Sequence, residues 1–314
     1  MITYPSYLKV GRSTNTIYTC VYQNRAFTLI ELLVAISIIG ILSTVVLASV
    51  SNARESAKQK SALQFSAQND RIMGADAIGM WNFEEGSGTN VGDVSGWGNH
   101  GTVSGAIFTT DTYNVGVSKQ ALTFDGVNDY VSMNIPDLSG SGDVTVSVWV
   151  KIFSFSGSSS SRPFVSDWNT WSPGSQKGFI LRTYSDQTVP SFWIADGTNY
   201  TAVYATKQIT LNKWCHVVGT FKAGSVFNIY MDGMRVGSGT PLTQYVRETS
   251  TPVYIGRGGI NAGYFHGTID DVRIYARSLT AQEVKEQYLA GIEKFYVQGE
   301  IDESEYRGFL AAVQ

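Results

Sequence analysis

One carboxylate stands at the edge of a long apolar run. Glu31 follows Phe27-Thr28-Leu29-Ile30 and precedes LLVAISIIGILSTVVLASV, residues 32–50, which carry no charge. An ionised side chain is costly to hold in hydrocarbon, so one that is kept there points to a partner charge. Cys215 and His216 are neighbours, and a thiol beside an imidazole is the material of nucleophilic catalysis. They lie in the strand-like run Lys213 to Val218, where adjacent side chains leave on opposite faces. The pair is therefore read as structural, with Cys215 a small buried residue. His100, His216 and His266 complete no Ser–His–Asp set, and no glycine-rich loop between a strand and a helix suits a phosphate. Trp168 and Trp171 fall beside Gly, Ser, Asn and Asp, the company of rings that stack on sugars. The same rings equally suit core packing, and the residues leave both readings open.

Two kinds of element have to position these groups. The apolar run is long enough to cross a bilayer as a helix, which takes about 20 residues. Helix formers continue past it to about Gly74. From Gly79 the period changes. In DVTVSVWVK, Val144, Val146, Val148 and Val150 share one face, and Thr145, Ser147 and Trp149 the other. Asp232-Gly233 joins two alternating runs as a hairpin turn. Other strands are expected near 80–84, 121–124, 129–133, 177–184, 191–195, 213–221, 252–256 and 267–275. The fold class is thus mainly β: an antiparallel jelly-roll sandwich preceded by one long N-terminal α-helix, partly transmembrane. The net charge of −3 gives no electrostatic case for nucleic acid. Cys20 precedes the apolar run, so a chain cut before the run holds a single thiol and no internal disulfide.

Arg25-Ala26-Phe27-Thr28-Leu29-Ile30-Glu31-Leu32-Leu33 resembles the cleavage and methylation motif of type IV prepilins and pseudopilins. The resemblance implies a prepilin peptidase that cuts between Ala26 and Phe27, then methylation of Phe27. Ala26 stands where the family usually has Gly. It also implies that Glu31 docks the subunit against other pilin-like subunits. An ammonium at Phe27 and a carboxylate at Glu31 can neutralise each other between helices in low dielectric.

A second resemblance runs in order through Trp81-Asn82-Phe83-Glu84-Glu85-Gly86, Asp93-Val94-Ser95-Gly96-Trp97-Gly98-Asn99-His100-Gly101, Leu122-Thr123-Phe124-Asp125-Gly126, Trp214 and Gly267-Thr268-Ile269-Asp270-Asp271-Val272-Arg273-Ile274-Tyr275. These segments resemble the laminin-G-like, concanavalin-like jelly roll. The implied organisation is a leader at 1–26, a transmembrane and extended helix at 27–74, the jelly roll at 79–290 and a short helical tail at 291–314. The resemblance also implies one structural calcium held by Asp93, Asn99, His100 and Asp270. Strict alternation puts Asp270 on the face of Val272 and Ile274, where a bare carboxylate is expensive. Calcium would relieve it, as would hydrogen bonds from the glycine-rich loop. Glucanases on this fold carry paired acids, and Glu300-Ile301-Asp302-Glu303-Ser304-Glu305 imitates their string. Asp302 with Glu305 has capping-box spacing, so the string is read as a helix start and no catalytic residue is assigned.

The expected role is a membrane-anchored, pilin-like surface subunit. It displays a non-catalytic sandwich for a glycan or a surface protein on the extracytoplasmic side of the cell membrane. The alternatives are a signal-anchored adhesin that joins no filament and a glycan hydrolase on the same fold.

Overall fold

The structure is a computed structural model, and it describes residues 28–74, 76–113, 120–136, 142–154, 161–168, 170, 172–184, 188–247, 249, 251–259, 263–297 and 301–313. Ala26, Phe27 and Trp171 lie outside the described residues. The chain divides into two units, Met1–Lys58 and Gln59–Gln314.

Helix α1 is Leu29–Gly74. Its stretch Leu29–Ser51 is long and apolar enough to cross a membrane, and none of it is buried within the protein. The start is a reciprocal cap. Thr28 N donates to Glu31 Oε2 at 3.0 Å, and Glu31 N donates to Thr28 Oγ1 at 3.2 Å. Two of the four groups a helix leaves open are satisfied that way. Ser37 and Ser43 turn their hydroxyls back onto Leu33 O and Ile39 O, at 2.8 and 2.6 Å. That leaves no bare hydroxyl from either residue on this apolar stretch.

Among the described residues, sixteen strands form two sheets. They are β1 (Ala77–Trp81), β2 (Asn90–Val91), β3 (Gly101–Ser104), β4 (Ile107–Thr109), β5 (Ala121–Asp125), β6 (Tyr130–Met133), β7 (Asp143–Ile152) and β8 (Ser161–Ser166). Then come β9 (Lys177–Tyr184), β10 (Pro190–Asp196), β11 (Tyr200–Tyr204), β12 (Trp214–Lys222), β13 (Val226–Met231), β14 (Met234–Ser238), β15 (Val253–Ile255) and β16 (His266–Tyr275). The first sheet runs β14-β13-β12-β7-β16-β5-β4, with β1 also on β16; the second runs β11-β10-β9-β8-β15-β6-β3-β2. The core lies between them. Val144, Val146, Val148 and Val150 of β7 face Phe164, Phe179, Leu181, Phe192 and Ile194 of the second sheet. At the expected hairpin, Asp232 has φ 50° and Gly233 φ 76°, the left-handed pair such a turn needs.

The outer face of the first sheet is buried as well. Helix α2, Ala281–Val297, opens with a capping box: Thr280 N donates to Glu283 Oε2 at 2.7 Å. Val284, Tyr288 and Ile292 lie four apart along one side of α2 and are buried. Tyr288 and Ile292 cluster with Trp149 and Tyr113, and Val284 with Tyr275 and Leu279. Helix α2 therefore runs through residue 290, the expected end of the jelly roll, because its apolar stripe continues to Ile292. Helix α3, Glu303–Ala312, starts at the Asp302–Glu305 capping box that the sequence indicates.

Gly219 of β12 sets the distance between the sheets. A Cβ there would stand 2.3 Å from the Phe192 ring. Gly219→Ala is expected to cost about 2 kcal/mol through overpacking, read as a lower urea midpoint with an unchanged slope. An unchanged midpoint would mean that the phenyl ring moves freely aside.

Candidate binding face and the placement of the predicted residues

The predicted calcium ligands fall into two separate hydrogen-bond clusters. In the loop, Asp93 Oδ1 accepts Met80 N at 3.0 Å and Ser95 N at 2.9 Å, while Oδ2 accepts Asn99 N at 2.9 Å. Asp93 N donates to His100 Nδ1 at 3.0 Å. Asn99 Nδ2 donates to Ile78 O at 2.5 Å, and its own carbonyl accepts Trp81 Nε1 at 3.0 Å. Burial opposes ionisation of Asp93, but the bonds from Ser95, Met80 and Asn99 prevail and hold its carboxyl below the ordinary range. Asp93, Asn99 and His100 thus tie the loop to β1 through hydrogen bonds.

Asp270 belongs to the other cluster, and its facing corrects the alternation argument. Ile269 pairs with Val150 and Ile274 with Val146, both toward the core; Asp270 pairs with Trp149 and Arg273 with Ser147. A bulge lies between Asp270 and Arg273, and Asp271 sits there at φ 45°. The extra residue turns Asp270 away from Val272 and Ile274, toward the Trp149 side. Thr112 donates its hydroxyl to Asp270 Oδ2, and Asp271 N donates to Asp270 Oδ1 at 2.7 Å. Burial, with the charges of Asp271 and Glu84, pushes the Asp270 carboxyl well up. Asp271 goes the other way. Burial raises it, but Arg273 at 2.6 Å, Lys294 and the Tyr113 hydroxyl at 2.5 Å hold it well below the ordinary carboxylate range. Phe83, next to Glu84, also has φ 53°, a genuine outlier for a bulky side chain. Among the described residues, no group of three or more His, Cys, Asp and Glu is placed to hold a metal.

The Cys215–His216 reading stands. Cys215 faces the core between the sheets, and burial pushes its thiol well up. His216 faces the other way, 2.9 Å from Ser147 Oγ through Nε2. Burial first, then Arg273, bring its pKa down to about 3, so the ring is neutral. Ser147 and His216 are both buried and out of reach of a substrate.

Trp168 is not a sugar platform. It is only 1% exposed, edge-on to Trp193 and Tyr200 at 6.4 and 6.1 Å. Two exposed rings lie on the edge strand instead. Tyr200 and Tyr204 of β11 are each 49% exposed, and Ala195↔Tyr200, Trp193↔Ala202 and Ser191↔Tyr204 are cross-strand partners. Val203 between them points into the core, so these residues form the outer face of the second sheet. Trp193 stacks on Tyr200 at 5.2 Å, lies 6.0 Å from Tyr204 edge-on, and carries the Arg182 guanidinium at 4.5 Å. The sequence signal for this strip is the alternation of Tyr200, Ala202 and Tyr204 around Val203.

Residues 125–285, half of the chain, match the concanavalin A-like lectin/glucanase superfamily. The chain belongs to that superfamily. Residues 22–47 match the prokaryotic N-terminal methylation motif. Solved structures of similar fold include the binding domain of Paraclostridial mosquitocidal protein 1, with a TM-score of 0.55, 16% identity and coverage of 70% of this chain and 53% of that one. The botulinum neurotoxin serotype G binding domain gives 0.53 and 17%, covering 69% and 51%. Domain 4 of AbnA, a GH43 extracellular arabinanase from Geobacillus stearothermophilus solved with arabinotriose, gives 0.51 and 18%, covering 68% and 98%. This chain spans about half the length of the toxin domains it matches. At these identities the likeness is one of fold. No curated protein sequence matches the chain.

Proposed function

We propose that the chain is a membrane-anchored, pilin-like subunit that displays a non-catalytic, ligand-binding superfamily sandwich on the extracytoplasmic side. The observation that carries this reading is the fusion itself: a methylation motif on an apolar, membrane-length helix, followed in one chain by a lectin-like sandwich. A prepilin peptidase cuts between Ala26 and Phe27, and Glu31 neutralises the new ammonium of a neighbouring subunit. The ligand, a glycan or a surface protein, meets the Trp193–Tyr200–Tyr204 face, where rings offer apolar area at little entropic cost.

The deciding measurement is mass spectrometry of the N-terminus after expression with a prepilin peptidase. N-methyl-Phe27 is expected, and an uncut chain would sink the pilin-like route. With processing in place, Glu31→Ala is expected to reduce incorporation into filaments by at least about tenfold. Its membrane retention should stay unchanged, since the apolar run is intact. Equal incorporation would leave an anchored adhesin.

A second reading concerns a cation at Asp270. A buried acid is pressed there by Asp271 and Glu84, between backbone outliers at Phe83 and Asp271. A cation at Asp270 would offset that repulsion.

A further inference from the structure

On the same outer face, a second group of rings surrounds one cation. Tyr254 of β15 stands opposite Ser132 of β6, while Ile255 opposite Val131 fills the core. Tyr130, two residues before Ser132, is on the Tyr254 side, and the two rings meet edge-on at 5.7 Å. Arg257 and Tyr264 form a β-bridge just beyond β15, held by Phe265 N donating to Gly256 O at 2.8 Å. The Arg257 guanidinium carbon lies 4.7 Å from the Tyr254 ring centre, 5.1 Å from Tyr130 and 5.9 Å from Tyr264. All four side chains are partly exposed.

The three rings fix the plane of the guanidinium but satisfy none of its N–H donors. Among the described residues, no carboxylate pairs with Arg257. Neither its guanidinium nor the hydroxyls of Tyr130, Tyr254 and Tyr264 take part in a hydrogen bond with one of them. A purely structural arginine on a sheet usually finds an acid or a carbonyl. This one presents a preorganised fork of donors with three phenols around it. A planar guanidinium suits a carboxylate or a sulfate, which it grips in bidentate fashion. The flanking rings suit the apolar face of a sugar.

We propose that Arg257, with Tyr130, Tyr254 and Tyr264, is a receptor for an oxyanion carried on a sugar ring, so that the sandwich selects acidic over neutral glycans. This rests on the reading of the sandwich as a ligand-binding module. The Trp193–Tyr200–Tyr204 strip lies three to four strand spacings away on the same face, roughly 14 to 19 Å. One extended glycan crossing the strands would engage both, with Arg257 reading its charge.

The test uses the full chain in detergent micelles and three immobilised probes: polygalacturonate for carboxylate, heparin for sulfate and dextran for neither. Binding to one or both acidic probes is expected, and the probe preferred identifies the oxyanion. Arg257→Gln should weaken that binding by about 10- to 100-fold, the range of a lost charge-assisted pair. Arg257→Lys should fall between, because it keeps the charge and loses the fork. Tyr254→Phe keeps the ring and the fold, and should lose a few-fold. Undiminished binding by Arg257→Gln overturns the proposal. So does retention on dextran alone, weakened by Tyr204→Ala and not by Arg257→Gln, which leaves the module reading standing. Binding to no probe overturns both the receptor and the glycan half of the module reading. If Arg257→Gln melts early, Arg257→Lys and Tyr254→Phe decide the matter.

Discussion

Asp167→Ala is expected to lower stability by about 3–5 kcal/mol, the cost of leaving a buried charge without its partner. Asp167 is sealed from solvent in the turn between β8 and β9, and its carboxylate has three duties. It accepts the backbone N–H of Phe179 and, at 3.0 Å, the hydroxyl of Tyr245; it also lies 3.4 Å from Arg247 Nε. Arg247 is equally buried and ties Ile135 O at 3.0 Å to the same corner. Truncation leaves a guanidinium, a phenol and an amide without their shared acceptor. Burial raises the Asp167 pKa to about 6, against the pull of Phe179, Arg247 and Tyr245. The sign follows from linkage. An acid whose pKa is raised on folding contributes stability in full below its unfolded pKa, near 3.8, and that stability is lost as pH rises through about 6. Asp167→Asn keeps one acceptor, so it should lose less than Asp167→Ala and should remove that step. Chemical melts at pH 4, 6 and 8 check both points. A variant with Asn that keeps the step would assign it to another group.

How much of this architecture the sequence carries depends on the range of the interaction. Local rules hold: Thr28 with Glu31, Thr280 with Glu283 and Asp302 with Glu305 all sit at capping spacing, and Asp232-Gly233 makes its turn. The β7 alternation is legible as well, although its polar face is buried because α2 lies on it, which no pattern within β7 records. Strand β8 escapes notice because Pro163 and the neighbouring Gly-Ser run imitate a loop. Asp270 is misplaced because a bulge carries no glycine to announce it; Asp271, an acid that tolerates left-handed backbone, supplies the turn. Trp168 is hidden by contacts with Trp193 and Tyr200, made across three strands. Arg257 and Tyr130 are more than a hundred positions apart, so only the sheet order brings them together.

Asp271→Ala should also cost about 3–5 kcal/mol at neutral pH, and its neighbour should respond in the opposite sense. Asp271 neutralises the buried Arg273, with Nε at 2.9 Å and a second nitrogen at 2.6 Å, and accepts the Tyr113 hydroxyl. Alanine strands all three and also meets the left-handed backbone, which disfavours a methyl group. The pKa of Asp271 is depressed on folding, so its stability is present above the unfolded carboxylate pKa and is lost as pH falls through the folded one. Asp270 is raised, so its contribution is present at low pH and lost as pH rises. With a chelator, Asp270→Asn should therefore lose less stability than the wild type as pH rises, since the amide gains no charge against Asp271 and Glu84. Adding calcium should raise the wild-type melting temperature and leave Asp270→Asn where it was, because only the wild type keeps the acid that a cation would neutralise. Equal responses of the two chains to calcium would remove the cation from Asp270. A wild type that loses no more stability than Asp270→Asn as pH rises would show that the bonds from Thr112 and the Asp271 amide offset the crowded charges.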